Sequence, residues 1–209
     1  MKQEQNIPAK TLERLVLYRH LLKDTLAQGI QFIFSHQLAA MAHNTAAQVR
    51  RDLMLTGYQG TARNGYEITA LLSHISTILH YPQKWTVALA GAGHLGTALL
   101  AYFSPGHSEL TLAAAFDIDK NKIGHVIAGC RCYSMTQLEK QIREMKIDLG
   151  IITVPADQAQ EVADRMTRAG IRGILNFAPV RIQVPPDVFV ERFDLAGLLE
   201  KVALSAGIK

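Results

Sequence analysis

The stretch Val87 to Leu100, VALAGAGHLGTALL, constrains this chain more than any other. An apolar run enters a Gly-x-Gly-x-x-Gly series and leaves it as a helical pattern. Each glycine has a task. Gly91 makes the tight turn, Gly93 lets the backbone approach a pyrophosphate, and Gly96 lets the helix pack on the sheet. Ala92, His94 and Leu95 complete the loop. A helix starting here turns free N–H groups and a favourable dipole toward phosphate. His94 reads as a phosphate neighbour, not a catalytic base. A second strand, LTLAAAFDID, ends at Asp117, 21 residues beyond Gly96. A carboxylate there accepts hydrogen bonds from the adenosine ribose and repels a 2′-phosphate, which favours NAD(H) over NADP(H). The alternatives are another adenine nucleotide such as CoA, or a nucleotide fold that binds nothing.

The rest of this half repeats the plan. IDLGIITVP reads as a parallel strand covered on both faces. AQEVADRMTRAG reads as a helix, IRGILNFAPV and DVFVERFDL as strands, and Leu195–Ser205 as a closing helix. Val154, Pro155, Asn176 and Phe177 fall at C-terminal strand ends, where open α/β sheets bind ligands. Residues 81–209 are therefore expected to form a Rossmann-like parallel sheet domain.

Residues 1–80 read differently, with a boundary at 80–84 around Pro82. Pro8 suits the first turn of a helix carrying Leu12, Leu15, Val16, Tyr18 and Leu22. Gly29 ends it. IQFIFS is an extended link, and Ser35 a candidate cap for a short helix, SHQLAAMAH. Asn44 or Thr45 caps a third helix, TAAQVRRDLML. Asn64-Gly65 marks a hairpin in TGYQGTARNGYEI, and TALLSHISTILH closes the part. This is the order of a winged helix-turn-helix, with the third helix as reader. Thr45, Gln48, Arg50 and Arg51 lie on that helix and Arg63 at the hairpin tip. Guanidinium groups bind guanine edges or phosphate, and glutamine pairs with adenine. The competing reading is a small helical bundle with solvated arginines.

Charge agrees weakly with DNA. The net charge is +4, and residues 1–80 contribute +3 of it, with five of the eight histidines. No apolar run is long enough to span a bilayer. MKQEQNIPAK has no apolar core of a secretory signal, so a cytoplasmic location is expected. Cys130 and Cys132 lack the further ligands of a zinc site, so they read as reduced thiols without a metal.

Hydride transfer needs a proton donor or acceptor by the nicotinamide and groups that hold a substrate. The first 80 residues offer no arginine–histidine pair for this, and no Ser-His-Asp, HExxH or CxxC pattern occurs. Catalysis is therefore not expected. An NAD-dependent oxidoreductase with an unrecognised small substrate is the alternative.

Taken in order, TAAQVRRDL, GAGHLGTALLAY, AAFDID, VPADQAQEVADRM and AGIRGILNFAPVRIQVP resemble the Rex family of redox-sensing transcriptional repressors, over almost the whole chain. The resemblance implies a cytoplasmic homodimer on a palindromic operator in double-stranded DNA. NADH releases it, while NAD+ competes poorly or supports the DNA-bound state. It implies that the Rossmann domains dimerise, with the terminal helix swapped onto the partner. Gly91, Gly93, Gly96 and Asp117 would hold the pyrophosphate and ribose, and Val154, Pro155, Asn176 and Phe177 would lie by the nicotinamide. Tyr102 and Asp194 match residues that respond to the reduced ring.

The chain departs from the family pattern in places. The family has an arginine two residues after the first-helix tyrosine, paired with the aspartate matched by Asp194. Here the run is Tyr18-Arg19-His20, which puts His20 at that position and Arg19 about 100° away. The reader helix continues LMLTG rather than LSYFG. The hairpin arginine comes one position late, and the tail after Asp194 is short. These differences bear on operator preference and NADH response. A divergent nucleotide-binding regulator with an altered response is the corresponding alternative.

Overall fold

The computed structural model describes residues 7–61, 64–79, 85–103 and 110–207. The expected boundary at 80–84 and Arg63 lie outside them. The chain divides into two compact units, Met1–Pro82 and Gln83–Lys209.

The first unit opens with α1, Ala9–Ala27, followed by β1, Phe32–Ile33. Next come α2, Ser35–Met41, and α3, Ala46–Leu55. It closes with β2, Tyr66–Glu67, and α4, Ile68–Ile78. Leu15, Tyr18 and Leu22 recur at helical spacing on α1. They meet Leu38, Val49, Leu53, Leu71 and Ile75 in one fully buried core. Leu12 and Val16, expected on the same stripe, are only half-buried at its margin.

Two local expectations change. The cap of α2 is Phe34, whose backbone N–H donates to Gln37 Oε1 at 2.8 Å. Ser35 is already inside the helix, and its hydroxyl accepts from Arg50. Around the expected hairpin the described residues show an antiparallel bridge, Thr61 with Gly65, and β2 pairs antiparallel with β1. Ile33 and Tyr66 are buried at that pairing. The link IQFIFS supplies the strand, with the β-branched Ile33 entering the core while Phe32 and Phe34 stay exposed.

The second unit contains β3 (Trp85–Ala90), α5 (His94–Tyr102) and β4 (Leu110–Asp117). A short pair follows, β5 (Val126–Ile127) and β6 (Cys130–Ser134), then α6 (Leu138–Glu144). Next are β7 (Leu149–Ile152), α7 (Ala159–Ala169) and β8 (Gly173–Asn176). The last elements are β9 (Phe189–Arg192) and α8 (Leu195–Ser205). The seven strands lie in the order β5-β6-β4-β3-β7-β8-β9, parallel except for β5 against β6. One face packs on α6 and α7 through Leu138, Ile142, Val162 and Met166. The other face buries Leu89, Ala115, Cys132 and Ile151 with Leu100 of α5. From the adjacent strands β3 and β7 the chain runs in opposite directions, to β4 on one side and to β8 on the other. That reversal opens a crevice at the strand ends.

Candidate functional site

The glycine series sits at that crevice. The Gly91 N–H donates to the Phe116 carbonyl at 2.8 Å, which ties the turn to β4. Its φ of 96° and the Thr153 carbonyl, 2.8 Å from where a Cβ would stand, leave no room for a side chain. At Gly96 a Cβ would collide with the Gly91 carbonyl oxygen, so α5 packs against the turn only through glycine. Gly93 differs. It caps α5 with an ordinary φ of −68° and has open space in front of it. A cradle left open there, beside helix N–H groups that no side chain caps, fits a pyrophosphate. Ala92 is buried beneath, while His94 and Leu95 are exposed on the first turn.

Asp117 ends β4, largely buried. Its Oδ1 accepts the Asp119 N–H at 2.8 Å, and Oδ2 lies 3.4 Å from Lys122 Nζ. The carboxylate is thus fixed at the strand end with acceptor positions to spare. Across the switch point, Val154 is buried and Pro155 exposed. Asn176 is fully buried, and its amide closes on its own loop. It donates to the Val180 carbonyl at 2.8 Å and accepts from the Ala178 N–H at 3.0 Å. Asn176 therefore shapes the crevice rather than reaching into it. Phe177 packs on Phe193, with centroids 4.8 Å apart.

The residues matched to the switch have separate surroundings. Tyr102 is 70% exposed and meets Phe103 edge-on. Asp194 caps α8 by accepting the Gly197 N–H at 3.1 Å and pairs with Arg192 at 3.4 Å. On α1, Arg19 turns inward and donates to Ser76 of α4 at 3.2 Å, whereas His20 is exposed. Arg19 is therefore part of the packing of the first unit.

In the first unit, Thr45 is the N-cap of α3 and accepts the Gln48 N–H at 3.1 Å. The Gln48 amide does not face outward; it donates to Asp52 Oδ1 at 2.8 Å. Arg50 is exposed and donates to Ser35 at 3.0 Å, and Arg51 is exposed beside it. Ala47, Arg50, Arg51, Met54 and Leu55 together border a shallow concavity.

Sequence reasoning missed two features. Asp52 is fully buried and gathers both α1 and α3. It accepts from Arg14 Nε and Nη2 at 2.7 Å, from Tyr18 at 2.9 Å and from Gln48. Burial alone would raise this carboxyl, but the bonds from Arg14, Gln48 and Tyr18 hold it below the ordinary range. Thr153, inside an apolar run, donates to the Gly91 carbonyl at 2.7 Å and fixes the clasp to β7. The thiols of Cys130 and Cys132 are buried, and burial raises Cys130 to about 11. Among the described residues no group of three or more His, Cys, Asp or Glu could hold a metal.

Comparisons with known proteins agree across the chain. A CoA binding domain model matches residues 82–180, and a putative DNA-binding protein N-terminus model matches residues 6–53. A redox-sensing transcriptional repressor Rex of Leuconostoc citreum (strain KM20) is 38% identical over 200 residues, covering 96% of this chain and 93% of the relative. The chain belongs to the Rex family. Two solved Rex-family structures, both of RSP, extend the likeness to three dimensions. RSP in complex with beta-NADH is 32% identical with a TM-score of 0.84, covering 96% of this chain and 94% of that one. RSP with beta-NAD+ and operator DNA is 33% identical with a TM-score of 0.85, covering 96% and 92%. Rex relatives are named as repressors, not enzymes. No helix among the described residues is long and apolar enough to cross a membrane.

Proposed function

We propose that this chain is a homodimeric, cytoplasmic repressor that binds a palindromic operator and is released from it by NADH. One observation carries the reading: a dinucleotide clasp and a basic reader helix occur in a single chain, in a family whose members are named redox-sensing repressors. Gly91, Gly93, Gly96 and the first turn of α5 would hold the pyrophosphate, and Asp117 the adenosine ribose. Val154, Pro155 and Phe177 would border the nicotinamide, with Asn176 holding the loop of Phe177. When bound, the dinucleotide supplies the redox signal in its nicotinamide ring, where NADH and NAD+ differ in charge and planarity. Discrimination therefore belongs to the residues at that end. Tyr102, Asp194 and His20 are the candidates for passing it on.

On the DNA side, Arg50 and Arg51 face outward from α3, with the Thr45 cap at its start. Arg63 would add a phosphate or minor-groove contact. Two reader helices engage one operator only when about 34–36 Å apart. A ligand that binds better to a dimer of different spacing releases the DNA, by the difference of its two affinities. The homodimer is supported by two apolar features that the described residues leave uncovered. α8 buries none of its residues, and Leu195, Leu199 and Val202 are each at least 60% exposed. The sheet face carries a cavity of about 210 Å³ lined by Val87, Leu112, Leu149, Ile151, Leu175 and Phe189.

The match to a CoA binding domain model favours one second reading, a regulator answering to another adenine nucleotide. Calorimetry with NADH, NAD+ and CoA, with and without a palindromic operator, separates the two. NADH is expected to bind and to displace the operator, with little displacement by NAD+. Displacement by CoA alone supports the second reading. Sustained NADH oxidation with a metabolite pool would make the protein an oxidoreductase instead.

A further inference from the structure

The exposed face of α3 holds a residue that neither the core nor simple phosphate binding explains. Val49, Asp52 and Leu53 point into the first unit. Ala47, Arg50, Arg51, Met54 and Leu55 face the other way. At about 100° per residue, Met54 falls between Arg50 and Arg51, one turn further along. It is 69% exposed, the most exposed large apolar side chain among the described residues of its unit.

We infer that Met54 is a specificity-determining residue that reads a thymine methyl group in the major groove. The inference rests on the proposed DNA-binding role of α3. Charge complementarity selects the occupant. Two guanidinium groups flank Met54, and the helix's only carboxylate, Asp52, is buried and paired on the opposite side. Such a face suits a polyanion. A polyanion's phosphates offer nothing to an apolar tip, whereas the major groove offers one apolar group, the thymine C5-methyl. Ala47, Arg50, Arg51 and Met54 are spaced i, i+3, i+4, i+7, an arc by which a helix lying in that groove reaches base edges. The arginines would take guanine O6 and N7 or phosphate, and the thioether chain would pack on the neighbouring methyl. Methionine adapts to such a contact because it is unbranched and polarizable.

Replacing thymine by deoxyuridine removes that methyl and nothing else. The full chain would first select a palindromic duplex from a random pool. Each half-site thymine would then be exchanged for deoxyuridine, symmetrically. Wild type is expected to lose about four-fold in affinity per half-site at one position. Met54→Ser should bind the thymine and uracil duplexes equally, with its thermal melt and salt slope unchanged. Met54→Leu should keep the preference. The inference is overturned if no deoxyuridine position weakens wild type, or if Met54→Ser stays methyl-sensitive. It is also overturned if Met54→Ser lowers the mass in solution while leaving DNA affinity intact, which would give the face to a second copy. Failure to select any duplex at low salt overturns the DNA-binding reading itself, and this inference with it.

Discussion

Arg14 grips Asp52 with two hydrogen bonds of 2.7 Å, one to each carboxylate oxygen, across 38 positions of sequence. The pair locks α1 to α3, and Tyr18 and Gln48 complete it. A carboxylate this buried is tolerated only because its donors are in place. Asp52→Ala should cost about 3 kcal/mol, because it strips several charge-assisted bonds at once. Chemical denaturation would measure that. DNA affinity should fall with it, since α3 loses its seat, while NADH affinity measured on the folded protein stays unchanged.

Two carboxylates tie stability to acid. Arg165 donates to both oxygens of Glu139 at 2.7 Å and, against some desolvation, holds Glu139 at about 2, below an ordinary 4.5. Asp52 is held low as well, by Arg14, Gln48 and Tyr18 against its burial. A carboxyl depressed by folding stabilises the protein above its unfolded value, and that contribution fades as pH falls through the folded value. For Glu139 the window is pH 4.5 to 2. Melting temperature should therefore drop steeply through it. Glu139→Gln should melt lower at neutral pH and show a shallower drop; an unchanged slope would remove Glu139 from the acid response.

The parts of this fold that run in sequence were legible, and those that converge in space were not. The strand, glycine series and helix of the clasp are contiguous, so spacing alone places Gly91, Gly93, Gly96 and Asp117 at the strand ends. Asp52 reads as a polar residue on a basic helix, because its donors come from α1 and no periodicity links the two. Gln48 reads as a base-contacting residue, while in the structure its amide bonds Asp52 one turn along the same helix. Thr153 was hidden in an apolar run, where a hydroxyl bonded to two carbonyls carries no pattern. β5, β6 and α6 are short, and their residues gave no sustained period. Turn chemistry at Asn64-Gly65 fixes the reversal seen as the Thr61–Gly65 bridge, but not that Tyr66 and Glu67 pair with β1.

Gly93 and Gly96 should fail in different ways. A methyl at Gly96 meets the Gly91 carbonyl, so Gly96→Ala should lower both the melting temperature and NADH affinity. A methyl at Gly93 meets open space at an ordinary φ. Gly93→Ala should thus keep its stability within about 0.5 kcal/mol. Its NADH affinity should still fall about ten-fold or more, because the methyl stands where the pyrophosphate approaches. Calorimetry beside thermal melts tests this, and unaltered NADH affinity in Gly93→Ala would displace the cradle.

Asp117 and Lys122 make the cofactor choice testable. In wild type the carboxylate would repel a 2′-phosphate while accepting from ribose hydroxyls. Lys122 Nζ lies 3.4 Å away and is in turn drawn to Asp117. Asp117→Asn removes the negative charge and leaves the ammonium facing the same place. The preference for NADH over NADPH should shrink at least about ten-fold, mainly through tighter NADPH binding. Titrations of both cofactors would read it. Unchanged discrimination would take the ribose role away from Asp117.

The proposed dimer can be tested at the terminal helix. α8 carries Leu195, Leu198, Leu199 and Val202, all left exposed by the described residues. An apolar stripe of that size is normally an interface. Leu199→Asp combined with Val202→Asp places two carboxylates on the stripe without touching any buried residue. The folded core should be unaffected, with the first unit and the sheet melting as before. The mass in solution should fall from a dimer to a single 23.0 kDa chain by light scattering. Operator affinity should fall with it, because two half-sites then no longer bind as one unit. A variant that stays dimeric would move the interface away from α8, to the apolar cavity on the sheet face.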